Sequence, residues 1–331
     1  MCNYLCNTLC RSCQNFISLG DSILSSGIID FFKKKNNDSE ITFVCGTVPY
    51  ELFKYCENID KIIALKKRKY SLHWFFLWTK VLFNFWDSII DLRGTGLSFL
   101  LLSKNYFFNL RKKKNVVHKV KVASSLVREK IIEPKIMIEY RKDDYTKYFN
   151  QIKGLAKKKD IICIAPSANW VGKEWPRNRY RNLILKLSSS NLFRNSKFIL
   201  LGSVNEAKNA EEIKNFFLKN EVINLSGKIK LNEVYLIMKE SKLFIGNDSG
   251  LMHLSAASGI PTIGLFGPSD IKQYHPWGRK TLAITTPERP EKLMENRNFS
   301  HKETSSLMLS LKTNIVARKV INFFRKIKNK K

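Results

Sequence analysis

The chain has 331 residues, 44% of them hydrophobic and 12% aromatic, with 58 Lys and Arg against 28 Asp and Glu for a formal charge of +30. That apolar content excludes a disordered chain, and the length predicts two domains. No run reaches the roughly 18 uncharged apolar residues of a membrane span, and the first ten residues lack the basic and apolar regions of a secretory signal, so a cytoplasmic protein is expected.

The positive charge runs through both halves of the chain. It points to an anionic partner, whether nucleic acid, membrane surface or phosphorylated substrate, or else to compositional drift in a chain rich in Lys, Asn, Ile and Phe. Cys2, Cys6, Cys10 and Cys13 open the chain. The last three read C-x3-C-x2-C, a spacing that can hold an iron–sulfur cluster. The same spacing sets all four thiols along one helical stripe, and lipidation is a third reading. Cys45, Cys56 and Cys163 are scattered singly, which argues against a disulfide framework.

Asp21 stands where it could cap a helix over Ser22–Phe32. A strand is predicted at Ile41–Cys45, a helix at Tyr50–Cys56 and a strand at Lys61–Leu65. A long aromatic helix follows over Leu72–Phe85, then a strand at Ser88–Leu92, then Gly94-Thr95-Gly96 and an apolar helix. The basic run Lys66-Lys67-Arg68-Lys69 precedes a stretch, Tyr70–Trp86, with eight aromatic residues. Two readings are open for it: a helix buried against a sheet, or a face for an anionic bilayer interface.

Tyr140–Asp160 is polar and Lys-rich and reads as a connector, which puts the domains at residues 1–154 and 155–331. A second alternating series follows. Its strands are Ile161–Ala165, Lys197–Leu201, Val222–Leu225, Leu243–Ile245, Thr262–Phe266 and Thr281–Thr285. Helices lie between them, for example Leu231–Glu240, with Leu231, Val234, Tyr235 and Met238 on one face. The closing helix, Asn314–Ile327, packs within its own half or back on the first. Alternation of strands and helices predicts α/β halves with parallel sheets, enclosing a cleft.

The segment Leu243–Gly278 carries most of the chemistry. A buried strand runs into Asn247-Asp248-Ser249-Gly250, and a short helix follows that stops at Gly259 before Ile260-Pro261. Gly250 lets a ligand approach the backbone closely. The helix start offers unpaired N–H groups and partial positive charge, an anion site, and His253 lies one turn in. The other reading is that Asp248 or Ser249 only caps the helix and that His253 packs.

D-S-G-x-x-H-x-x-A-A-x-x-x-P-x-x-x-L-F-G-P-x-D, from Asp248 to Asp270, closely resembles the signature of glycosyltransferase family 9, which includes the lipopolysaccharide heptosyltransferases. The resemblance extends to Ala165–Trp170 with Lys173-Glu174-Trp175-Pro176, to Leu200–Ser203 with Glu206, to Ser18–Ile23, and to Asp91-Leu92-Arg93-Gly94. It implies the GT-B architecture of two facing Rossmann-like domains with parallel sheets and an interdomain cleft. The first domain would bind the acceptor and the second the nucleotide sugar. By the same resemblance Asp21 is the catalytic base, Lys173 contacts the donor diphosphate, Glu206 bonds the nucleotide ribose, and Ser167, Asp248, Ser249, Gly250 and His253 complete the donor site. Glu206 could equally sit in a helix's first turn, and Lys173 on an ordinary surface. Two departures stand out. Gly27 occupies the place of a usual proline, and Cys10–Ile17 make a poor first strand ahead of Gly20-Asp21.

The implied reaction is inverting transfer of a sugar, heptose from an ADP-heptose donor, to a lipopolysaccharide core or related glycolipid acceptor. An attacking hydroxyl needs a carboxylate to take its proton. A departing diphosphate needs positive charge, which Lys173 and the Ser249–Gly250 amides could supply without a metal. No D-x-D occurs, and neither metal nor cofactor is expected. Partners are the donor, a lipid-linked saccharide and an anionic membrane surface, with attachment to the inner face of the cytoplasmic membrane and no specific nucleic acid. The alternatives are a non-catalytic binder of anionic surfaces or nucleic acid on a decayed GT-B fold, and a sugar-nucleotide epimerase of GT-B type.

Overall fold

Runs of β-branched and aromatic residues such as Glu40–Gly46 and Leu243–Asn247 form strands buried on both faces, as in a parallel sheet covered by helices. The computed structural model describes residues 3–7, 18–66, 68–92, 94, 96–108, 117–138, 140, 142–156, 159–218, 221–295 and 305–329. The chain divides into two units, Met1–Tyr140 and Arg141–Lys331.

The first unit runs β1 (Asn3–Asn7), α1 (Leu19–Ser25), α2 (Gly27–Lys35), β2 (Glu40–Gly46), α3 (Thr47–Phe53), β3 (Lys61–Leu65), α4 (Leu72–Val81), β4 (Trp86–Asp91), β5 (Ser103–Phe108) and α5 (Lys119–Leu126). Its five strands are parallel in the order β3-β2-β1-β4-β5. The chain order reverses between β1 and β4, so their carboxyl ends mark the place where such sheets take ligands. Val44, Ile63, Leu65, Leu77, Val81, Trp86, Ile89 and Leu101 form a core between the sheet and α4. Each such side chain contributes roughly 1.5–3 kcal/mol by leaving water.

Several expectations change here. The first strand lies upstream of the expected place, at Asn3–Asn7, with Tyr4 opposite Ile41 on one side and Ser88 on the other. Cys6 therefore sits on a strand, and the four-thiol helical stripe does not form; Cys2, Cys10 and Cys13 lie outside the described residues. The helix expected over residues 22–32 is broken at Ser26. The Ser26 hydroxyl donates to the Ile23 carbonyl at 2.8 Å and accepts the Lys135 amide at 3.0 Å. Gly27 follows, and a Cβ there would stand 2.1 Å from the Glu133 carbonyl oxygen, so the segment after α5 crosses where only glycine leaves room. The expected helix after Gly96 is a single tight turn, Gly96–Leu100, and then β5, an edge strand that its mixed polar pattern concealed.

The second unit runs α6 (Lys142–Ala156), β6 (Asp160–Ala165), α7 (Arg177–Ser188), β7 (Ser196–Leu200), α8 (Ala207–Lys214), β8 (Val222–Asn224), α9 (Leu231–Lys239), β9 (Leu243–Asn247), α10 (Gly250–Ala257), β10 (Thr262–Phe266), α11 (Ile271–Tyr274), β11 (Thr281–Thr285), α12 (Pro290–Leu293) and α13 (Thr313–Lys328). The stretch expected as a connector thus carries a fifteen-residue helix. Six parallel strands follow the order β11-β10-β9-β6-β7-β8. Numbered from β6, this is the doubly wound dinucleotide-binding order, with its reversal between β6 and β9. The closing helix α13 packs on α7 and β11 of its own unit, burying Val316, Ala317, Val320 and Phe324.

Cys45, Cys56 and Cys163 are free and buried. Burial pushes the thiols of Cys56 and Cys163 up to about 12, so both are packed and unreactive.

Candidate functional site

The reversal point of the second sheet brings two loops together. One leaves β6 through Pro166–Pro176, and the other leaves β9 through Asp248 and Ser249 into α10. Asn247, the last residue of β9, is fully buried and joins them. Its side-chain N–H donates to the Pro166 carbonyl at 2.7 Å. Its Oδ1 accepts the Trp175 amide at 3.1 Å and the Tyr180 hydroxyl at 2.9 Å. A buried amide keeps its place only when both its donor and its acceptor are satisfied.

Asp248 follows. Its amide donates to the Leu265 carbonyl at 3.1 Å. Its Oδ2 accepts from the Lys173 ammonium at 2.7 Å, and its Oδ1 lies 3.9 Å from His253 Nε2. Asp248 is 6% exposed and Lys173 24%, so the aspartate sits inside while the ammonium reaches solvent. Burial would push the Asp248 carboxyl up. The charge of Lys173, and after it that of His253, outweighs burial and holds it below the ordinary carboxylate value.

The capping reading of Asp248 and Ser249 does not hold. Ser249 occupies the N-cap position of α10 but its side chain makes no cap hydrogen bond, and the Asp248 carboxylate is turned to Lys173. The first amides of α10, from Gly250 onward, have no partner within the helix. His253 is buried one turn in, behind Asp248. Ser167 is buried in the loop after β6.

The Lys173 loop is held from several sides. The Glu174 carboxylate accepts the Ala168 amide at 3.0 Å, and the Leu307 amide donates to Gly172 at 3.1 Å. A Cβ at Gly172 would meet the Trp170 ring at 2.4 Å, so a side chain there would displace that ring. The indole N–H of Trp175 donates to the Leu311 carbonyl at 2.7 Å. Burial pushes the Glu174 carboxyl up, against its bond to Ala168, and repulsion from Glu206 adds to it.

Glu206 therefore lies near Glu174. Its Oε2 accepts the Ser203 amide at 2.6 Å, closing the turn before α8. The reading of Glu206 as a first-turn residue is thus present in the geometry beside its proximity to the loops. Asp21 belongs to the first unit. Ser18, not Asp21, is the N-cap of α1: its hydroxyl accepts the Asp21 amide at 3.1 Å and donates to the Asp21 carboxylate at 2.9 Å. Asp21 stands in the first turn of the helix that follows β1. Asp91, at the carboxyl end of the adjacent β4, is buried and accepts the Gly94 amide at 3.0 Å.

The structure thus brings Lys173, Asp248 and His253 together, at the start of the helix that Ser249 and Gly250 open. Asn247, Glu174 and Tyr180 are the positioning residues that sequence reasoning missed. An amide ending an apolar strand was the signal for Asn247; nothing local marks Tyr180, which reaches it from α7. A cavity of about 610 Å³ in the same unit is lined by Asp160, Lys242, Lys280 and Phe324, and none of the constellation borders it.

The family model for glycosyltransferase family 9 (heptosyltransferase) matches residues 93–302. Lipopolysaccharide heptosyltransferase 1 of Campylobacter coli is 25% identical over 280 residues, covering 76% of this chain and 81% of the relative. Lipooligosaccharide heptosyltransferase 2 of Haemophilus influenzae is 30% identical over 159 residues, 46% of this chain and 45% of that one, so this match spans about half of each protein. Among solved structures, Escherichia coli ADP-heptose lps heptosyltransferase II superposes with a TM-score of 0.74 at 16% identity, covering 99% of this chain and all of that one. The family 9 glycosyl transferase of Veillonella parvula gives 0.73 at 18%, over 98% and 97%. The fold is that of these GT-B proteins. With the Asp248–Asp270 signature inside the matched region, the chain belongs to glycosyltransferase family 9, the heptosyltransferase family.

Proposed function

We propose that the protein transfers a heptosyl group from ADP-heptose to a lipopolysaccharide core or related glycolipid acceptor, with inversion and without a metal ion. The observation that carries this reading is the Lys173–Asp248 pair at the start of α10. A carboxylate is the wrong charge to touch a diphosphate. Asp248 instead aims and retains the Lys173 ammonium, whose exposed side, with the first amides of α10, meets the phosphates. His253 braces Asp248 from behind. Ser167 lies in the same loop as Lys173, and Glu206 bonds the nucleotide ribose.

In this reading the second unit holds the donor and the first the acceptor. Asp21, oriented by Ser18, takes the proton of the acceptor hydroxyl as its oxygen bonds the anomeric carbon. The bond from that carbon to the diphosphate oxygen breaks, and the electron pair leaves with ADP. Lys173 and the helix amides stabilise the charge that collects there. The proton passes from Asp21 to solvent. The protein works peripherally on the inner face of the cytoplasmic membrane, where a lipid-linked acceptor is presented.

A donor panel of ADP-heptose and UDP-sugars, with an extracted core glycolipid as acceptor and product mass as readout, tests this. Transfer from ADP-heptose is expected. Asp21→Asn should lower kcat by about 10²–10⁴ while ADP still raises the melting temperature. No transfer from any donor, with salt-sensitive DNA binding in its place, would overturn the reading in favour of a non-catalytic binder.

A further inference from the structure

Burial against the sheet accounts for only one face of α4. His73, Leu77 and Val81 are buried, whereas Leu72, Phe75 and Phe76 are exposed. The exposed apolar surface continues through Phe83 and Phe85 and reappears at Phe99, Leu100 and Leu102 in the turn after β4. The Trp78 indole N–H donates to the Leu100 carbonyl at 3.1 Å, which makes the turn and the helix neighbours. Ten of the nineteen large apolar side chains exposed among the described residues fall between Tyr70 and Tyr106. Such concentration marks an interaction surface rather than ordinary scatter.

The backbone adds a second observation. Tyr70 and Ser71 both have positive φ, 53° and 58°, a left-handed conformation that costs energy in residues other than glycine. That turn projects the Tyr70 ring at the start of α4, 93% exposed, and Phe83 is equally exposed just past its end. Charge supplies the third. Arg68 stacks 3.8 Å from the centre of the Phe76 ring. A cavity of about 100 Å³ has Lys66, Arg68 and Lys80 on its border, with His73, Phe76 and the aliphatic Leu65 and Leu77 also lining it. Between Lys61 and Phe108 the sequence has two carboxylates. Asp87 is paired with Lys104 at 2.8 Å, and Asp91 is buried.

We propose that α4 and the turn after β4 are the surface by which the first unit docks on a bilayer leaflet containing anionic lipid. Tyr70 and Phe83 enter the interface, and the Lys66–Arg68–Lys80 cavity takes a lipid phosphate. Projecting rings at both ends of a helix, rimmed by cations, suit a fluid interface that closes around them. The proposal rests on the membrane-face part of the function proposed above and not on the transfer chemistry.

The test is co-sedimentation of the full chain with vesicles of phosphatidylcholine alone or mixed with phosphatidylglycerol. Binding to the mixed vesicles is expected, weakening with salt. The double variant Phe83→Glu/Leu102→Glu should bind at least roughly tenfold more weakly, and Arg68→Glu/Lys80→Glu should lose the preference for phosphatidylglycerol. An unchanged melting temperature in both variants shows that they fold. Absent binding by the wild type, or variants that bind as well as it does, overturn the proposal. So does wild-type self-association in gel filtration without vesicles, abolished by Phe83→Glu/Leu102→Glu, which would make the surface a protein interface. Protection by ADP is read separately. Its loss with vesicle binding intact removes the transfer chemistry and leaves the docking surface standing.

Discussion

The Lys173 ammonium and the Asp248 carboxylate, 75 positions apart, meet at 2.7 Å at the reversal point of the second sheet. The aspartate is the buried partner and the lysine the one that reaches solvent. Removing one member is therefore not equivalent to removing the other.

Lys173→Met leaves a buried carboxylate without its counter-charge. It should cost about 3–5 kcal/mol in urea unfolding at neutral pH. Asp248→Asn leaves a partly hydrated ammonium and should cost less, on the order of 1–2 kcal/mol. Both should weaken ADP binding, the first by losing the cation and the second by losing its aim. Equal stability losses would show that the two sites are alike in burial.

The acid limb of the stability profile should carry the signature of Asp248. Its folded carboxyl titrates below the ordinary 3.8. The stability it contributes is present above that value and is lost as pH falls through the folded one. Urea midpoints measured down the acid range should fall less steeply in Asp248→Asn than in the wild type.

Glu174 has the opposite sign. Its folded carboxyl titrates above the ordinary 4.5, chiefly because it is buried. Its contribution is full below that value and is lost as pH rises through the folded one. Glu174→Gln keeps an acceptor for the Ala168 amide. It should be more stable than the wild type at pH 7 and indistinguishable from it below pH 4.5.

Asn247→Leu keeps the branched outline of the side chain and removes three hydrogen bonds. The Trp175 amide, the Pro166 carbonyl and the Tyr180 hydroxyl lose their partner. At about 1–3 kcal/mol for each group left unsatisfied, the loss should reach at least about 3 kcal/mol in urea unfolding. ADP affinity should fall with it, because the two loops are no longer held to each other.

Gly27→Ala tests the crossing behind α2. The new methyl would stand 2.1 Å from the Glu133 carbonyl oxygen, so backbone must move. A loss of about 1–3 kcal/mol is expected. Donor binding should be unchanged, since Gly27 lies in the other unit from the Lys173 loop.

Much of the second sheet was legible because its strands are continuous apolar runs with breakers between them. Leu243–Asn247 and Thr262–Phe266 announce themselves in this way. The first unit was harder to read. β1 is short and polar, and β5 lies at a sheet edge where side chains face water, so neither shows a clear period. The break at Ser26 was hidden because its cause, the crossing of residues 132–135, is distant in sequence.

The residues from Asp248 to Asp270 by themselves pointed to the family, because a signature of residue types at set spacing is a local property of the chain, as are the Gly250 start and the Gly259 stop of the helix between them. Tertiary structure alone decided which carboxylates are buried, that Asp248 faces Lys173 rather than the helix end, and that one face of α4 is left outside. Those properties depend on what packs from elsewhere in the chain, and burial and charge pairing are not functions of local sequence.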